Sequence, residues 1–382
     1  MIKIADRLSE VQEYYFSTKL RQVEKMKHSG IPIINIGIGN PDLFPHPSVL
    51  ASLTASLQDP NAHEYQSYQG LVELRQAMAD FYKEQYKVIL NPKDEVLPLI
   101  GSKEGIAHIA LAYLNKGDKA LIPNPGYPTY SSVTKLMQVK PIYYDLYKEN
   151  DWQPDFKALE KINLRGVKLM WINYPHMPTG AKASDQTFSK LIRWAIRNNI
   201  LLVNDNPYGL INNNRPKSIL NYPNAIQVAI ELNSLSKSFN MAGWRVGMVC
   251  GNSKLLNPIL RVKSNFDSGM FYAVQKGAIQ ALKLSHNWFE KLDQAYNKRR
   301  NLVEKLALKL GASFESNQVG LFLWAKIPNG EASSEHYIEK LLNKYHIFTT
   351  PGTVFGPNGQ GYFRLSLCVK QDDIQRAIDR IK

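Results

Sequence analysis

Residues 234–247 read Ser-Leu-Ser-Lys-Ser-Phe-Asn-Met-Ala-Gly-Trp-Arg-Val-Gly, and they follow a β-type run of apolar residues. Lys237 stands here among small hydroxyl residues, and Arg245 follows eight positions later. A lysine amine can condense with a carbonyl as a Schiff base, while Ser234, Ser236 and Arg245 offer the hydroxyl and guanidinium donors that bind phosphate. An aldehyde and a phosphate on one ligand point to pyridoxal phosphate. If Lys237 were an ordinary solvated lysine, all of these spacings would have to be accidental.

The middle of the chain alternates between strand-like and helix-like patterns. Apolar strand candidates occupy residues 95–100, 119–122, 167–172, 200–203, 225–232 and 246–250. Strands that alternate with helices favour βαβ units and a mostly parallel sheet covered by helices on both faces. We therefore expect an α/β fold for this part of the chain.

Polar stretches follow five of these strands directly. They are Gly101-Ser102-Lys103, Asn124-Pro-Gly-Tyr127, Asn173 to Gly180, Asp205-Asn-Pro-Tyr208 and Ser234 to Lys237. Open α/β sheets bind ligands at the carboxyl ends of their strands. The sequence thus predicts that these five stretches meet in one crevice.

The pattern changes near residue 285. A long amphipathic helix is predicted through residue 310, followed by a β-like segment at 320–325, a second helix near 334–345 and a β-like segment at 361–368. A chain of 382 residues exceeds the size at which one hydrophobic core stops growing. We predict a large domain at residues 45–284 and a small α+β domain at 285–382, which residues 1–44, with a helix over 8–27, complete.

Composition restricts the classes of partner. Lys and Arg total 47 against 33 Asp and Glu, which gives a formal net charge of +14. The basic residues are scattered, and the densest cluster, Lys298-Arg299-Arg300, is predicted to be a solvated helix face. We interpret the charge as attraction for an anionic cofactor and anionic substrates, with no nucleic-acid partner.

Two cysteines, Cys250 and Cys368, lie in apolar β-like runs and are expected to be buried free thiols. Two cysteines support neither a disulfide framework nor a metal site. The N-terminus lacks a signal-peptide pattern, and no segment has the length of a membrane span. We expect a cytoplasmic protein without a metal and without a membrane partner.

The order Ser-x-Ser-Lys-x-x-Asn-x-x-Gly-x-Arg-x-Gly resembles the lysine signature of the class I/II aminotransferases, the fold-type-I family of pyridoxal-phosphate enzymes. The similarity runs from about residue 30 to the C-terminus. Residues 14–16, 97–108, 124–130 and 264–271 look most like the bacterial LL-diaminopimelate aminotransferase group. The resemblance implies an amino-acid biosynthetic transaminase that moves an amino group between an L-amino acid and a 2-oxo acid. The implied pairs are LL-diaminopimelate, aspartate or alanine with 2-oxoglutarate or glutamate.

The resemblance also implies a role for each cofactor-binding residue. Lys237 holds the cofactor and moves a proton between the substrate Cα and the cofactor. The other cofactor residues are Ser102, Lys103, Ser234, Ser236 and Arg245 at the phosphate, Tyr127 stacked on the ring, Tyr208 at the ring oxygen and Asp205 at the ring nitrogen. For Asp205 the residues themselves agree, because a carboxylate at the end of an apolar strand needs a positive partner.

Further roles concern the substrate and the neighbouring subunit. In the resembled family an arginine at the place of Arg364 grips the substrate carboxylate, and Gly39 and Tyr14 belong to the same site. The alternative for Arg364 is a solvated position on the exposed face of a strand. Tyr65 matches a tyrosine that reaches the cofactor phosphate of the neighbouring subunit, which implies a homodimer with shared active sites.

The sequence departs from the family at two positions. Met177 stands where the family has an asparagine that donates to the cofactor ring oxygen, and either this donor is missing or His176 replaces it. Tyr68 stands where plant-type diaminopimelate enzymes carry a glutamate for the distal ammonium. Three rival functions stay open: a pyridoxal-phosphate lyase or decarboxylase, a cofactor-free interaction protein, and a transcription regulator, for whose DNA-binding domain there is no room before residue 30.

Overall fold

The computed structural model describes residues 2–381. Its helices have the following bounds: α1 Tyr15–His28, α2 Pro47–Ser56, α3 Val72–Tyr86, α4 Ser102–Tyr113, α5 Pro128–Leu136, α6 Phe156–Leu159, α7 Asp185–Asn198, α8 Leu235–Ser238, α9 Ser253–Lys263, α10 Tyr272–Leu282, α11 His286–Lys309, α12 Ser334–Tyr345 and α13 Gln371–Arg380. Within residues 2–381 none of these helices is both long enough and apolar enough to cross a membrane.

The strands are β1 Ile34–Asn35, β2 Val96–Leu99, β3 Lys119–Asn124, β4 Lys140–Asp145, β5 Val167–Ile172, β6 Leu201–Asp205, β7 Ala229–Ser234, β8 Gly247–Gly251, β9 Ser313–Phe314, β10 Phe322–Lys326, β11 Ile347–Phe348, β12 Thr350–Pro351 and β13 Tyr362–Ser366. Seven of them form the central sheet in the order β2-β8-β7-β6-β5-β3-β4. β8 runs antiparallel to both of its neighbours, β2 and β7, and the other strand pairs of this sheet are parallel. The predicted mostly parallel α/β sheet is confirmed.

Buried apolar strands are where the sequence-based prediction works best. The strand predicted at 167–172 has the observed bounds of β5, and β2, β3, β6 and β8 differ from their predictions by one or two residues at an end. The strand predicted at 225–232 is β7 at 229–234, because residues 225–227 form a turn of 3₁₀ helix. β4 was missed, since this edge strand is mostly exposed and lacks a continuous apolar run.

The predicted helix over residues 8–27 is wrong at its start. α1 begins at Tyr15, and residues 11–14 are irregular. The helices predicted at 285–310 and 334–345 are confirmed as α11 and α12.

The N-terminal segment packs on the C-terminal part of the chain. β1 pairs in parallel with β11, with Ile34 opposite Ile347, and the amide of Ser366 donates to the carbonyl of Ile36 at 2.7 Å. The antiparallel sheet β12-β13-β10-β9 lies in the same part of the molecule. These pairings agree with the predicted role of residues 1–44, while the domain boundaries themselves stay a prediction.

The prediction that Lys298-Arg299-Arg300 is a solvated helix face is wrong for its two arginines. Both are buried. The Arg299 guanidinium donates to both carboxylate oxygens of Asp42, at 2.6 and 2.9 Å, and Arg300 donates to the carbonyl of Gly320 at 3.1 Å. Arg299 thereby ties the segment after β1 to the long helix α11.

We expect Asp42→Ala to lower the free energy of unfolding by about 2–3 kcal/mol, because it leaves a buried guanidinium without its counter-charge. The range lies below that of a fully buried pair because the Asp42 side chain is 25% exposed. Glu315→Ala is the control, since its pair with Lys148 is also 2.6 Å long but both side chains are about half exposed, so the loss should be clearly smaller. Urea denaturation measures the free energy of unfolding of both variants. Equal losses would show that the Asp42–Arg299 pair stabilises the fold no more than the control pair does.

Candidate active site

A cavity of about 490 Å³ opens at the carboxyl ends of β3, β5, β6 and β7. Segments before β1, after β9 and around β13 close it from the opposite side. Its lining comprises Tyr14, Phe16, Leu20, Ile38, Gly39, Ser102, Lys103, Tyr127, Tyr130, Asn173, Met177, Asp205, Pro207, Tyr208, Ser234, Ser236, Lys237, Ala242, Arg245, Phe322, Phe355 and Arg364. The predicted convergence of the five strand-end stretches is therefore present.

Every residue that the sequence assigned to the cofactor or the substrate lines this cavity, except Tyr65. Tyr65 is 91% exposed and does not belong to the cavity lining of its own chain. Its assignment to a neighbouring subunit stays a prediction. The lining also includes residues that the sequence did not assign, notably Tyr130, Asn173 and an aromatic group of Phe16, Phe322 and Phe355.

Lys237 lies in the single helical turn α8, directly after β7. The Ser234 hydroxyl accepts from the amide of Ser236 at 3.2 Å and so caps this turn. The Lys237 amine donates to the carbonyl of Gly39 at 2.7 Å. Burial lowers the pKa of the Lys237 amine, and the charges of Arg364 and Arg245 lower it further. A lowered pKa raises the fraction of neutral amine, which is the nucleophilic form.

Asp205 is buried at the end of β6 with one oxygen satisfied and one free. The Tyr130 hydroxyl donates to Oδ2 at 2.8 Å, while Oδ1 has no hydrogen-bond partner. Burial raises the pKa of the Asp205 carboxyl to about 7. A buried carboxylate oxygen that faces a cavity without a partner suits a ligand that brings a positively charged N–H.

The phosphate-binding candidates lie at the start of α4. Gly101 has φ +84°, and a Cβ there would come 2.2 Å from the Arg245 guanidinium, so this close approach requires glycine. Ser102 opens α4, and Lys103 lies 4.6 Å from the centroid of the Tyr14 ring. The Ser234 hydroxyl lies 2.9 Å from that of Ser236. Helix N–H groups, hydroxyls and cations are the donors that an anionic phosphate prefers.

Arg364 is buried on β13, so the alternative of a solvated strand face is wrong. β13 pairs with β10 on one side and β12 on the other. The guanidinium donates to the carbonyl of Gly37 at 2.9 Å and lies 3.9 Å from the centroid of the Phe322 ring. Burial lowers the pKa of Arg364 to about 10. Nε of Arg364 has no hydrogen-bond partner, so the guanidinium retains donors for a carboxylate.

Met177 also contacts this guanidinium, with its sulfur 3.3 Å from Nη1 of Arg364. His176 does not line the cavity, and its Nδ1 lies 2.8 Å from the Thr179 hydroxyl. Burial lowers the pKa of His176 to about 3, so its ring is neutral at neutral pH. His176 therefore gives no support to the alternative in which it replaces the asparagine donor.

Asn173 stabilises the turn that contains His176 and Met177. Its Oδ1 accepts from the amide of Met177 at 2.8 Å, and its Nδ2 donates to the backbone carbonyl of Asp205. The contact with Asp205 follows from β5 and β6 lying side by side, whereas the contact with Met177 is local to the turn. The sequence offered a signal for this residue only in its position, as the first polar residue after the β5 run.

The cavity carries an excess of positive charge. Four cations, Lys103, Lys237, Arg245 and Arg364, face one carboxylate, Asp205. Across residues 2–381 none of these four cations forms a salt bridge. The residues thus fit a ligand with a phosphate, an aldehyde and a protonated ring nitrogen, together with a second ligand that carries a carboxylate.

We expect the stability of the cofactor-free protein to fall as pH rises from about 4 to about 7. A carboxyl whose folded pKa exceeds its unfolded value binds its proton more tightly in the folded state, so the folded state loses stability as that proton leaves. A shift of about three pKa units corresponds to about 4 kcal/mol. Asp205→Asn has no proton to lose at this site and should remove this part of the dependence.

Urea denaturation between pH 4 and 8 measures the free energy of unfolding of the wild type and of Asp205→Asn. The contributions of other titrating groups cancel in the difference between the two proteins. Parallel stability curves would show that Asp205 is ionised throughout in the folded protein.

Comparison with known proteins gives consistent results. Residues 31–381 match the family model described as aminotransferase class I and II. The LL-diaminopimelate aminotransferase of Halothermothrix orenii is 39% identical over 380 residues, which covers 99% of this chain and 97% of that protein. The LL-diaminopimelate aminotransferase of Aquifex aeolicus is 38% identical over 384 residues, with 100% and 99% coverage.

Solved structures show the same architecture. The apo structure of BacF from Bacillus subtilis is 35% identical, with a TM-score of 0.95 and coverage of 100% of this chain and 98% of that chain. A Staphylococcus aureus aminotransferase is 30% identical, with a TM-score of 0.90 and coverage of 99% and 98%. A mutant of Thermus thermophilus aspartate aminotransferase, 21% identical with a TM-score of 0.92 and coverage of 100% and 99%, shares the fold.

Proposed function

The chain belongs to the class I and II aminotransferases, a pyridoxal-phosphate-dependent family, and moves an amino group between an L-amino acid and a 2-oxo acid; we propose that it binds its pyridoxal phosphate in the cavity around Lys237. The observation that carries the proposal is the shared cavity of a buried lysine amine and the free oxygen of a buried carboxylate. These are Lys237 Nζ and Asp205 Oδ1. The predicted fold-type-I architecture is confirmed by the solved relatives.

Each end of the cofactor has a matching group in the cavity. Ser102, Lys103, Ser234, Ser236 and Arg245 would hold the phosphate, and Tyr127 would stack on the ring. Tyr208 would donate to the ring oxygen, and Asp205 would accept from the ring nitrogen. When bound there, the cofactor supplies an electron sink for the bond that breaks at the substrate Cα.

Lys237 then serves as the proton carrier. Its amine has a lowered pKa, so it can accept the proton that leaves the Cα of the amino donor and, in the second half of the reaction, donate a proton to the Cα of the new amino acid. The carbonyl of Gly39 accepts from this amine and fixes its orientation. Tyr130, through its hydrogen bond to Oδ2, leaves Asp205 Oδ1 to meet the ring nitrogen.

Arg364 would bind the substrate α-carboxylate. Its guanidinium is buried against Phe322, Phe355 and Phe16, with ring centroids at 3.9, 4.7 and 5.5 Å. Water is thereby excluded from one side of the fork, which strengthens a charged hydrogen bond. The position of Tyr14 in the same lining supports its assignment to the substrate.

We propose LL-diaminopimelate as the amino donor, with 2-oxoglutarate as acceptor, because the curated relatives at 37–40% identity carry that name. A second donor class, amino acids with apolar side chains, is favoured by the aromatic group of Phe16, Phe322 and Phe355. Within the described lining the only carboxylate is Asp205, and Tyr68 is not part of it. A distal ammonium would have to find its partner outside these residues. Aspartate and the small amino acid alanine rank behind LL-diaminopimelate and behind amino acids with large apolar side chains.

We also propose a cytoplasmic homodimer with shared active sites. The free, buried thiols of Cys250 and Cys368 suit a reducing compartment. Tyr65 and Phe44 are 91% and 83% exposed, as expected for side chains that a second subunit covers.

We expect purified enzyme to release a 2-oxo acid from the donor only when 2-oxoglutarate is present, whereas a lyase or decarboxylase would act without an acceptor. Lys237→Ala should lower kcat by at least about 10⁴-fold, because proton transfer and cofactor attachment are lost together. Lys254→Ala, at an exposed helix position, is the matched control.

The assay compares LL-diaminopimelate with phenylalanine as donors, followed through the glutamate formed. Near-normal turnover of folded Lys237→Ala would overturn the assignment of the lysine. A kcat/KM for phenylalanine above that for LL-diaminopimelate would replace the proposed donor with the apolar class and leave the transaminase function intact.

We expect Met177→Asn to lower the pH at which the visible absorbance of the bound cofactor titrates by about one unit. A thioether cannot donate a hydrogen bond to the ring oxygen, whereas an asparagine amide can and would stabilise its unprotonated, charged form. Met177→Leu is the control, since it changes the packing and adds no donor. An unchanged midpoint in Met177→Asn with bound cofactor would show that another residue already supplies the donor.

A further inference from the structure

Three side chains that commonly bind metals meet outside the cavity. Glu104 and His108 lie on α4, and Asp267 lies in the loop after α9. One ligand atom from each residue lies within 4.8 Å of the other two. The i, i+4 spacing places Glu104 and His108 on one face of α4. The sequence predicted no metal site, because only the packing of α9 against α4 brings Asp267 to this face.

The cluster contains buried polar atoms that lack partners. His108 is 3% exposed, and neither ring nitrogen forms a hydrogen bond. Its Nε2 lies 3.1 Å from Glu104 Oε1 but is not aligned to donate to it. Asp267 Oδ2 is also buried without a partner. An unpaired buried nitrogen and an unpaired buried carboxylate oxygen are both costly, and a cation between them would satisfy both.

The remaining contacts hold these ligand atoms in place. Glu104 Oε2 accepts from the amide of Ile100 at 2.6 Å, and Asp267 Oδ1 accepts from the Lys263 amine and the Gly269 amide, both at 2.8 Å. Each carboxylate thus has one oxygen engaged and one left for a further partner. The cluster contains two carboxylates, whereas the Lys263 ammonium at Asp267 is the one cation in these contacts, so the carboxylates are not fully neutralised by it.

We propose that Glu104, His108 and Asp267 bind a divalent transition-metal cation, with Zn²⁺ as the best match. One imidazole nitrogen and two carboxylate oxygens form a ligand set that Zn²⁺ accepts, whereas Mg²⁺ and Ca²⁺ prefer oxygen ligands alone. Metal–ligand distances of about 2.0–2.2 Å place the ligand atoms of a tetrahedral site about 3.4 Å apart, so atoms that now lie within 4.8 Å of one another need only small shifts. A water molecule would complete a tetrahedral shell.

The position of the cluster gives the metal a structural role. α4 begins with Ser102 and Lys103, which line the active cavity, and Glu104 follows them directly. A metal at this site would fasten α4 to the loop that follows α9. The alternative is a cluster without a metal, in which His108 forms hydrogen bonds with the two carboxylates.

The first test measures Zn²⁺ binding to the holoenzyme after dialysis against a chelator, by equilibrium dialysis with elemental mass spectrometry. We expect one Zn²⁺ per chain in the wild type. His108→Gln and Asp267→Asn should bind at least about 100-fold more weakly, because each removes a direct ligand. His286→Ala is the matched control, since His286 and Glu290 have the same i, i+4 spacing at 3.8 Å but are exposed.

The second test uses readouts independent of solution stoichiometry. Zn²⁺ should raise the midpoint of thermal unfolding by several degrees in the wild type and in His286→Ala, and in neither cluster variant. Crystals loaded with Zn²⁺ should give an anomalous peak between the three side chains. Asp267→Asn keeps the side-chain volume and serves if His108→Gln does not fold. Equal binding by all four proteins would place the Zn²⁺ elsewhere, and no binding by the wild type would show a cluster without a metal; either result would overturn the proposal.

Discussion

Burying the guanidinium of Arg364 costs free energy that the protein's own residues only partly recover. The side chain has lost its water and receives a backbone carbonyl, a thioether and three aromatic rings, but no carboxylate. A buried cation without a counter-ion is tolerated when a ligand supplies the missing charge. The Lys237 amine and the Asp205 carboxylate are also buried in this cavity without a counter-ion. The charges and free donors of the cavity therefore suit the anionic cofactor and anionic substrate that we propose for it.

The fold holds the charged side chains of the cavity apart from one another. Parallel strands end at one edge of the sheet, so β5, β6 and β7 deliver Asn173, Asp205 and Ser234 to neighbouring positions. Arg364 comes from the opposite side on β13, whose position depends on the pairing of β1 with β11 and on the amide of Ser366 bound to Ile36. The Asp42–Arg299 pair links the same N-terminal segment to α11. The stability of the N-terminal segment and the position of Arg364 therefore depend on the same contacts.

Local sequence predicted the residues whose chemistry is unusual for their surroundings. Lys237 stands among hydroxyl residues, and Asp205 ends an apolar strand, so each is conspicuous in its own segment. Tyr130, Asn173 and Arg299 were missed because their roles depend on partners 32 to 257 positions away. Helix periodicity places Arg299 on α11 but does not show that Asp42 covers it. The fold class follows from apolar runs that extend through whole strands, whereas the exposed edge strand β4 has no such run.

Helix α4 connects the positively charged cavity with the negatively charged cluster of Glu104, His108 and Asp267. Its first residues face the positive cavity, and its next turn carries Glu104 and His108 toward Asp267. Glu104 Oε2 accepts from the amide of Ile100, one residue before Gly101, whose positive φ lets Arg245 pack over the backbone. The orientation of the Glu104 carboxylate therefore bears on the turn that positions Arg245. A cation at the cluster would hold the Glu104 carboxylate in this orientation, with one oxygen on the metal and the other accepting from the amide of Ile100. The negative cluster and the positive cavity are joined in this way through five consecutive residues, 100–104, without sharing a side chain.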